Sequence, residues 1–140
     1  MNILFSILSI VYISAIFILA GSPIVRILAP FNIYSLLHIP LYGILTALLI
    51  LSFVPIKIKS INPINPKNSI NPINSITRFL VVGVIALGVG IADEIHQAYV
   101  PGRDASITDV LLDMVGIILV LFFVLLFHKK QKSLKSQSTQ

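Results

Sequence analysis

Four apolar runs, each close to the length needed to cross a lipid bilayer, dominate this chain. A membrane-spanning helix takes about 20 predominantly apolar residues at 1.5 Å rise per residue. Residues 3–20 carry no charge and close at Gly21-Ser22-Pro23. Residues 36–54 are broken only by His38 and end before Pro55. Residues 107–127 contain Asp109 and Asp113 and then run into His128-Lys129-Lys130. The remaining run, 79–92, is too short to span by itself. It reaches lipid length only by continuing through Asp93, Glu94 and Gln97 towards Tyr99, which predicts a third span over 78–99 and places those polar groups in the membrane or at its edge.

The predicted fold is therefore all-α: an integral membrane bundle of four transmembrane helices. One transmembrane domain covers residues 1–128, with a basic, unstructured tail over 129–140. Composition agrees, since only 11% of residues are charged, against roughly 25% in a soluble domain. The absence of cysteine excludes disulfides, thiolate metal sites and cysteine nucleophiles. The first run reads as a span rather than a cleaved signal peptide. No Lys or Arg precedes it, and it is longer than the usual apolar core of about 7–15 residues.

Basic residues set the expected orientation. Lys57, Lys59, Lys67 and Arg78 lie between the second and third spans, and Lys129, Lys130, Lys132 and Lys135 follow the fourth. The other two connections hold Arg26 and Arg103 alone. The positive-inside rule then assigns both termini to the cytoplasm. Within the 55–76 connector, Ile61–Ser75 repeats Ile-Asn-Pro units, a composition that predicts an irregular cytoplasmic link.

All five acidic residues of the chain, Asp93, Glu94, Asp104, Asp109 and Asp113, fall inside one window on the opposite side. Intramembrane carboxylates are costly, and by default they mark function. At about 100° per residue, Gly83, Ala86, Gly90, Asp93, Glu94 and Gln97 share one face of the third span. Ser106, Asp109, Asp113 and Gly116 make a stripe on the fourth. Ser35, His38 and Tyr42 group on the second, and His96 and Asp104 lie off the stripes. The rise per residue puts Glu94, Asp113, His38 and Tyr42 at one depth, in the outer third of the bilayer. Three helices thus converge on a candidate site. Between the spans, Val100-Pro101-Gly102-Arg103 suits a type II turn with Gly at the position needing positive φ, and it holds Arg103 above the carboxylates. Ser106 through Asp109 has the form of a capping box opening the fourth helix. No metal or cofactor is expected: a divalent ion on His38 and the carboxylates is conceivable, but the spacing matches no standard zinc motif. No nucleophile elbow, phosphate-cradling loop or nucleic-acid-binding face is present.

Asp93-Glu94-Ile95-His96-Gln97, Pro101-Gly102-Arg103, and then Ser106, Asp109, Asp113 and Gly116 closely resemble the signature of VanZ-like membrane proteins. His38 and Tyr42 resemble that family's His-x-x-x-Tyr on the second span, and Ser22-Pro23 resembles its segment after the first. Two regions depart from the pattern: Tyr34-Ser35 stands where the family often has Asp-Lys, and the Asn-Pro connector has no counterpart. The resemblance implies a multi-pass cell-membrane protein of the family named for a teicoplanin-resistance accessory factor, working near the envelope, and it implies no particular reaction.

Taken together, the residues lead to an outward-facing site for a polar or cationic group of a membrane lipid, lipid-linked envelope precursor or lipophilic antibiotic. Glu94, Asp109 and Asp113 attract or hydrogen-bond that group, Gln97, His38 and Tyr42 orient it, Arg103 holds a phosphate or carboxylate at the membrane surface, and Asp93 and Ser106 complete the binding set. A membrane-embedded acid–base enzyme, with Glu94, Asp109, Asp113 and His38 as its catalytic candidates, is the alternative. A proton or cation pathway is third, because the inner halves of the spans offer almost no polar continuation.

Overall fold

The computed structural model describes residues 2–22, 35–53 and 72–137, and within them it contains four α-helices and no strand. These are α1 (Ile3–Ala20), α2 (His38–Phe53), α3 (Pro72–Ala98) and α4 (Ile107–Gln137). Three of them contain stretches long and apolar enough to cross a membrane: Ile3–Ala20, Ile76–Ala98 and Ile107–Phe127. The third stretch does run through Asp93, Glu94 and Gln97, as its short apolar core required.

The shorter helix is α2, with 16 residues. At 1.5 Å per residue it is about 24 Å long, less than a hydrocarbon core of about 30 Å. Its start is explained by Pro40, which sits in the first turn, where backbone N–H groups have no intrahelical acceptor to lose. Leu36 and Leu37 lie in a turn rather than in the helix. Position in the bundle makes the length tolerable, because α2 packs against all three other helices, most extensively against α4. Its buried residues include His38, Tyr42, Leu45, Thr46, Leu49 and Ile50, so much of its surface meets protein rather than lipid.

Two expectations about boundaries need correction. The connector was expected to remain irregular to residue 76, yet α3 begins at Pro72. Proline suits the first helical position, where its fixed φ is helical and its missing donor costs nothing. The remainder of the connector, 55–71, lies outside the described residues, as do Arg26, Pro23 and Tyr34. Past Phe127, α4 continues as helix to Gln137 instead of giving way to an unstructured tail. Lys, Leu and Gln are good helix formers, and lysines near a helix C-terminus complement its dipole.

Where α1 meets α2, polar contacts fix the pairing at the end away from the acidic window. Asn2 N–H donates to the Ser52 carbonyl at 2.9 Å, and the Ser6 and Ser52 hydroxyls are 2.6 Å apart. Further along, the Tyr12 hydroxyl donates to the Leu41 carbonyl at 3.1 Å. The core beneath the site is apolar, built from Ile16, Tyr42, Leu45, Leu49, Ile50, Phe79, Val82, Ala86 and Ile117. Outward faces carry exposed Ile, Leu, Val and Phe, as lipid contact requires.

Glycines bring the helices close at two places that matter for the site. A Cβ on Gly116 of α4 would overlap the Ile39 carbonyl of α2, and it would lie 3.1 Å from the Gly43 nitrogen. On α3, a Cβ at Gly90 would stand 2.7 Å from Asp113 Oδ2 and 3.4 Å from the Tyr42 ring. Close approach of three backbones is what lets side chains from α2, α3 and α4 meet at one depth.

Candidate functional site

Nine polar side chains are buried in the described structure, and five of them (His38, Asp93, Glu94, Asp109 and Asp113) are titratable groups at one end of the bundle. Gln97 joins them there at 2% exposure. The convergence expected from depth and helical face is present: α2, α3 and α4 all contribute. The site has two lobes, with His38 and Tyr42 between them.

On the α4 side, His38 Nδ1 lies 2.9 Å from Asp113 Oδ1, and its Nε2 is 3.9 Å from Asp109 Oδ2. Asp113 is fully buried and pressed against Gly90, so the imidazole is held from below. Glu94 reaches towards the same lobe, where its Oε2 accepts the Ser106 N–H at 2.7 Å. Its Oε1 is enclosed and has no hydrogen-bond partner. One ligand atom from each of His38, Glu94 and Asp109 falls within 4.8 Å of the others. The expectation of no metal rested on linear spacing, and these three residues are far apart in sequence but not in space.

Asp93, Gln97 and Arg103 form the other lobe as a relay. Gln97 donates Nε2–H to Asp93 Oδ2 at 2.9 Å, and its Oε1 accepts a short hydrogen bond from the Arg103 guanidinium. The neighbouring acids Asp93 and Glu94 therefore serve different lobes. A cavity of about 270 Å³ opens against this relay. Its polar end is His38, Asp93, Gln97 and Arg103, and its apolar wall is Tyr12, Ile16, Leu19 and Leu41, with Ser22 also lining it.

Tyr42 is fully buried beside His38, with ring planes 5° apart and centroids separated by 6.3 Å. Its hydroxyl is enclosed and has no hydrogen-bond partner of good geometry. The turn that carries Arg103 has the expected form: Gly102 has φ 80°, and Arg103 N–H donates to the Val100 carbonyl at 3.1 Å.

The capping box takes a different form from the one its sequence suggests. The Ser106 carbonyl does accept from Asp109 and Val110, opening α4. However, the Ser106 N–H, which Asp109 would satisfy in a capping box, is taken by Glu94 of α3. That exchange frees Asp109 to face His38. Ser106 thus enters the site through its main chain. His96 packs edge-on against Phe17 at 5.5 Å, Asp104 is exposed, and neither joins the site. Ser35 is half-buried before α2.

What sequence reasoning missed is the part played by α1. Tyr12 was the available signal, an aromatic hydroxyl midway along a run otherwise polar only at three serines, and it now lines the cavity.

In comparison with known protein families, the chain matches the family described as VanZ/LLP1 over residues 5–128. No curated protein and no solved structure matches the chain.

Proposed function

The chain belongs to the VanZ/LLP1 family, and from that membership and the site geometry we propose that it binds the polar group of a membrane amphiphile, taken in from the outer face of the cell membrane. One observation carries this reading: the 270 Å³ cavity is itself amphipathic, with Arg103, Gln97, Asp93 and His38 at one end and apolar side chains of α1 and α2 along its wall. A lipid or lipid-linked precursor entering sideways would lay its chain against Ile16, Leu19 and Leu41 and bring its head to the relay. The Arg103 guanidinium suits phosphate or carboxylate, and Asp93 suits a cationic group.

Size narrows the candidates. Pockets for drug-sized ligands run from about 300 to 1,000 Å³, so this cavity takes a head group and not a whole glycopeptide. A lipophilic antibiotic would insert one polar group or its tail. Photo-crosslinking in native membranes with diazirine-bearing lipid and lipid-linked precursor analogues tests the reading. Labelling of α1 and α2 in the wild type should fall at least several-fold in Asp93→Asn/Arg103→Gln. Equal labelling of both proteins would remove the basis for it.

Acid–base catalysis on such an amphiphile is the second reading, favoured by the orientation of His38. With Nδ1 engaged by Asp113, its Nε2 faces Asp109 across 3.9 Å, a gap that a bound substrate atom or water would fill to exchange a proton with either group. Turnover of membrane lipids by purified protein, seen as a changed mass profile and lost in Asp109→Asn, would establish it; identical profiles would leave binding alone. The pathway reading gains no support, because the core beneath the site is almost wholly apolar among the described residues.

A further inference from the structure

We propose that His38, Glu94 and Asp109 bind one divalent transition-metal ion, of the Zn²⁺ or Mn²⁺ class, in the lobe facing α4. This site shares His38 with the amphiphile cavity but stands on separate observations. Its three ligand atoms come from α2, α3 and α4, lie within 4.8 Å of one another, and belong to buried residues. Metal–ligand bonds of about 2.0–2.2 Å would close the cluster with shifts under about 1 Å per side chain.

The second observation is an enclosed oxygen with nothing to bind. Glu94 is 96% buried, from its 4% exposure; Oε2 is satisfied by Ser106 N–H, while Oε1 has no donor. A buried carboxylate oxygen left without a partner is among the more costly defects a membrane helix could carry. A cation placed between Glu94 and Asp109 removes it. In doing so the two carboxylates match the ion's double charge, so the complex enters the low-dielectric interior close to neutral.

The imidazole is prepared for this role. Asp113 engages Nδ1 at 2.9 Å, which fixes the ring and leaves Nε2 directed at the cluster. A carboxylate behind a metal-binding histidine is a recurrent support that orients the ring and raises its basicity. The gap from Nε2 to Asp109 Oδ2 is 3.9 Å, too long for a hydrogen bond, and two ligands of one ion are commonly about 3–4 Å apart. A donor set of one imidazole and two carboxylates favours Zn²⁺ or Mn²⁺ over Ca²⁺ and Mg²⁺, which prefer all-oxygen shells. Three protein ligands also leave a coordination position open for a phosphate or carbonyl oxygen.

Purified full-length protein in detergent, stripped with chelator and titrated with Co²⁺, tests the site by visible absorption, with Zn²⁺ as competitor. One Co²⁺ should bind per chain and be displaced by Zn²⁺. His38→Ala and Glu94→Gln should each weaken binding at least 100-fold. Asp113→Asn should weaken it about 10- to 100-fold, as loss of a supporting carboxylate does. Asp104→Asn, at an exposed acid on the turn, should leave the Kd unchanged. Absence of Co²⁺ uptake by the wild type, or uptake indifferent to Glu94→Gln, overturns the proposal. Should the variants fail to fold, X-ray absorption on the Zn²⁺-loaded wild type still decides: one imidazole with oxygen ligands supports the site, and a shell without imidazole overturns it. Because Asp93 and Arg103 are untouched throughout, failure here is separable from failure of amphiphile binding.

Discussion

Gln97 holds the relay together because its amide donates from one end and accepts at the other. It gives a hydrogen to Asp93 and takes one from Arg103, at 2% exposure. Leucine would fill similar space and leave Asp93 Oδ2 without its donor, a loss worth about 1–3 kcal/mol for a buried polar group. Gln97→Leu should therefore lower the unfolding midpoint in a detergent–denaturant titration. The sharper expectation concerns the pair. Removing both partners abolishes the unmet acceptor, so Asp93→Leu/Gln97→Leu should be less destabilised than the two single variants summed, with a coupling of about 0.5–3 kcal/mol. Additive losses would mean that Gln97 acts through packing alone.

Helix contacts obey a comparable logic, with the backbone as the limiting surface. At Gly116 an added methyl would meet the Ile39 main chain, which belongs to a helix and cannot turn aside. At Gly43, on the same α2–α4 seam, it would meet a Val120 methyl at 3.5 Å, an ordinary contact. Gly116→Ala should cost about 1–3 kcal/mol by overpacking, and Gly43→Ala should be nearly neutral. Thermal unfolding of the two variants in one detergent compares them directly, and equal midpoints would refute the proposed seam. It also follows that Gly116→Ala should disturb the site, because parting α2 from α4 moves His38 away from Asp113.

Elements of this kind were legible in the sequence to differing degrees, for physical reasons. Apolar length identifies α1 and the start of α4 at Ile107, whereas the end of α3 at Ala98 followed only once its short apolar run was carried through Asp93, Glu94 and Gln97 to lipid length. The polar stripes of α3 and α4 were legible because helical period turns spacing into direction. Less visible was the satisfaction of Ser106 N–H by Glu94: a main-chain donor carries no residue signature, and local pattern pointed to Asp109. The grouping of His38, Glu94 and Asp109 was hidden for another reason, as ligands from three helices leave no linear motif. Likewise, the contribution of α1 to the cavity depends on how it packs, which an almost uniformly apolar run does not encode.

At the scale of the whole molecule, the bundle is chemically polarised along its axis. The α1 C-terminus, the α2 start and the α3–α4 turn gather the buried acids at one end, while Arg78 of α3 and the lysines of α4 past Phe127 lie towards the other. Positively charged segments are retained on the cytoplasmic side during insertion, so the acidic end should face outward. Eight of the ten basic residues fall in the 55–78 segment and the C-terminal segment, against two in the other connections, a bias that the same rule expects to set orientation. The chain has no cysteine, so single engineered thiols report without background. Ala105, exposed beside the turn, should react as Ala105→Cys with a membrane-impermeant maleimide on intact cells. Ser69→Cys, in the basic connector, should react only after permeabilisation. The reverse pattern would turn the site towards the cytoplasm. Amphiphile binding at the relay and metal binding at His38 could both persist in that case, but the ligand would then have to come from the inner leaflet.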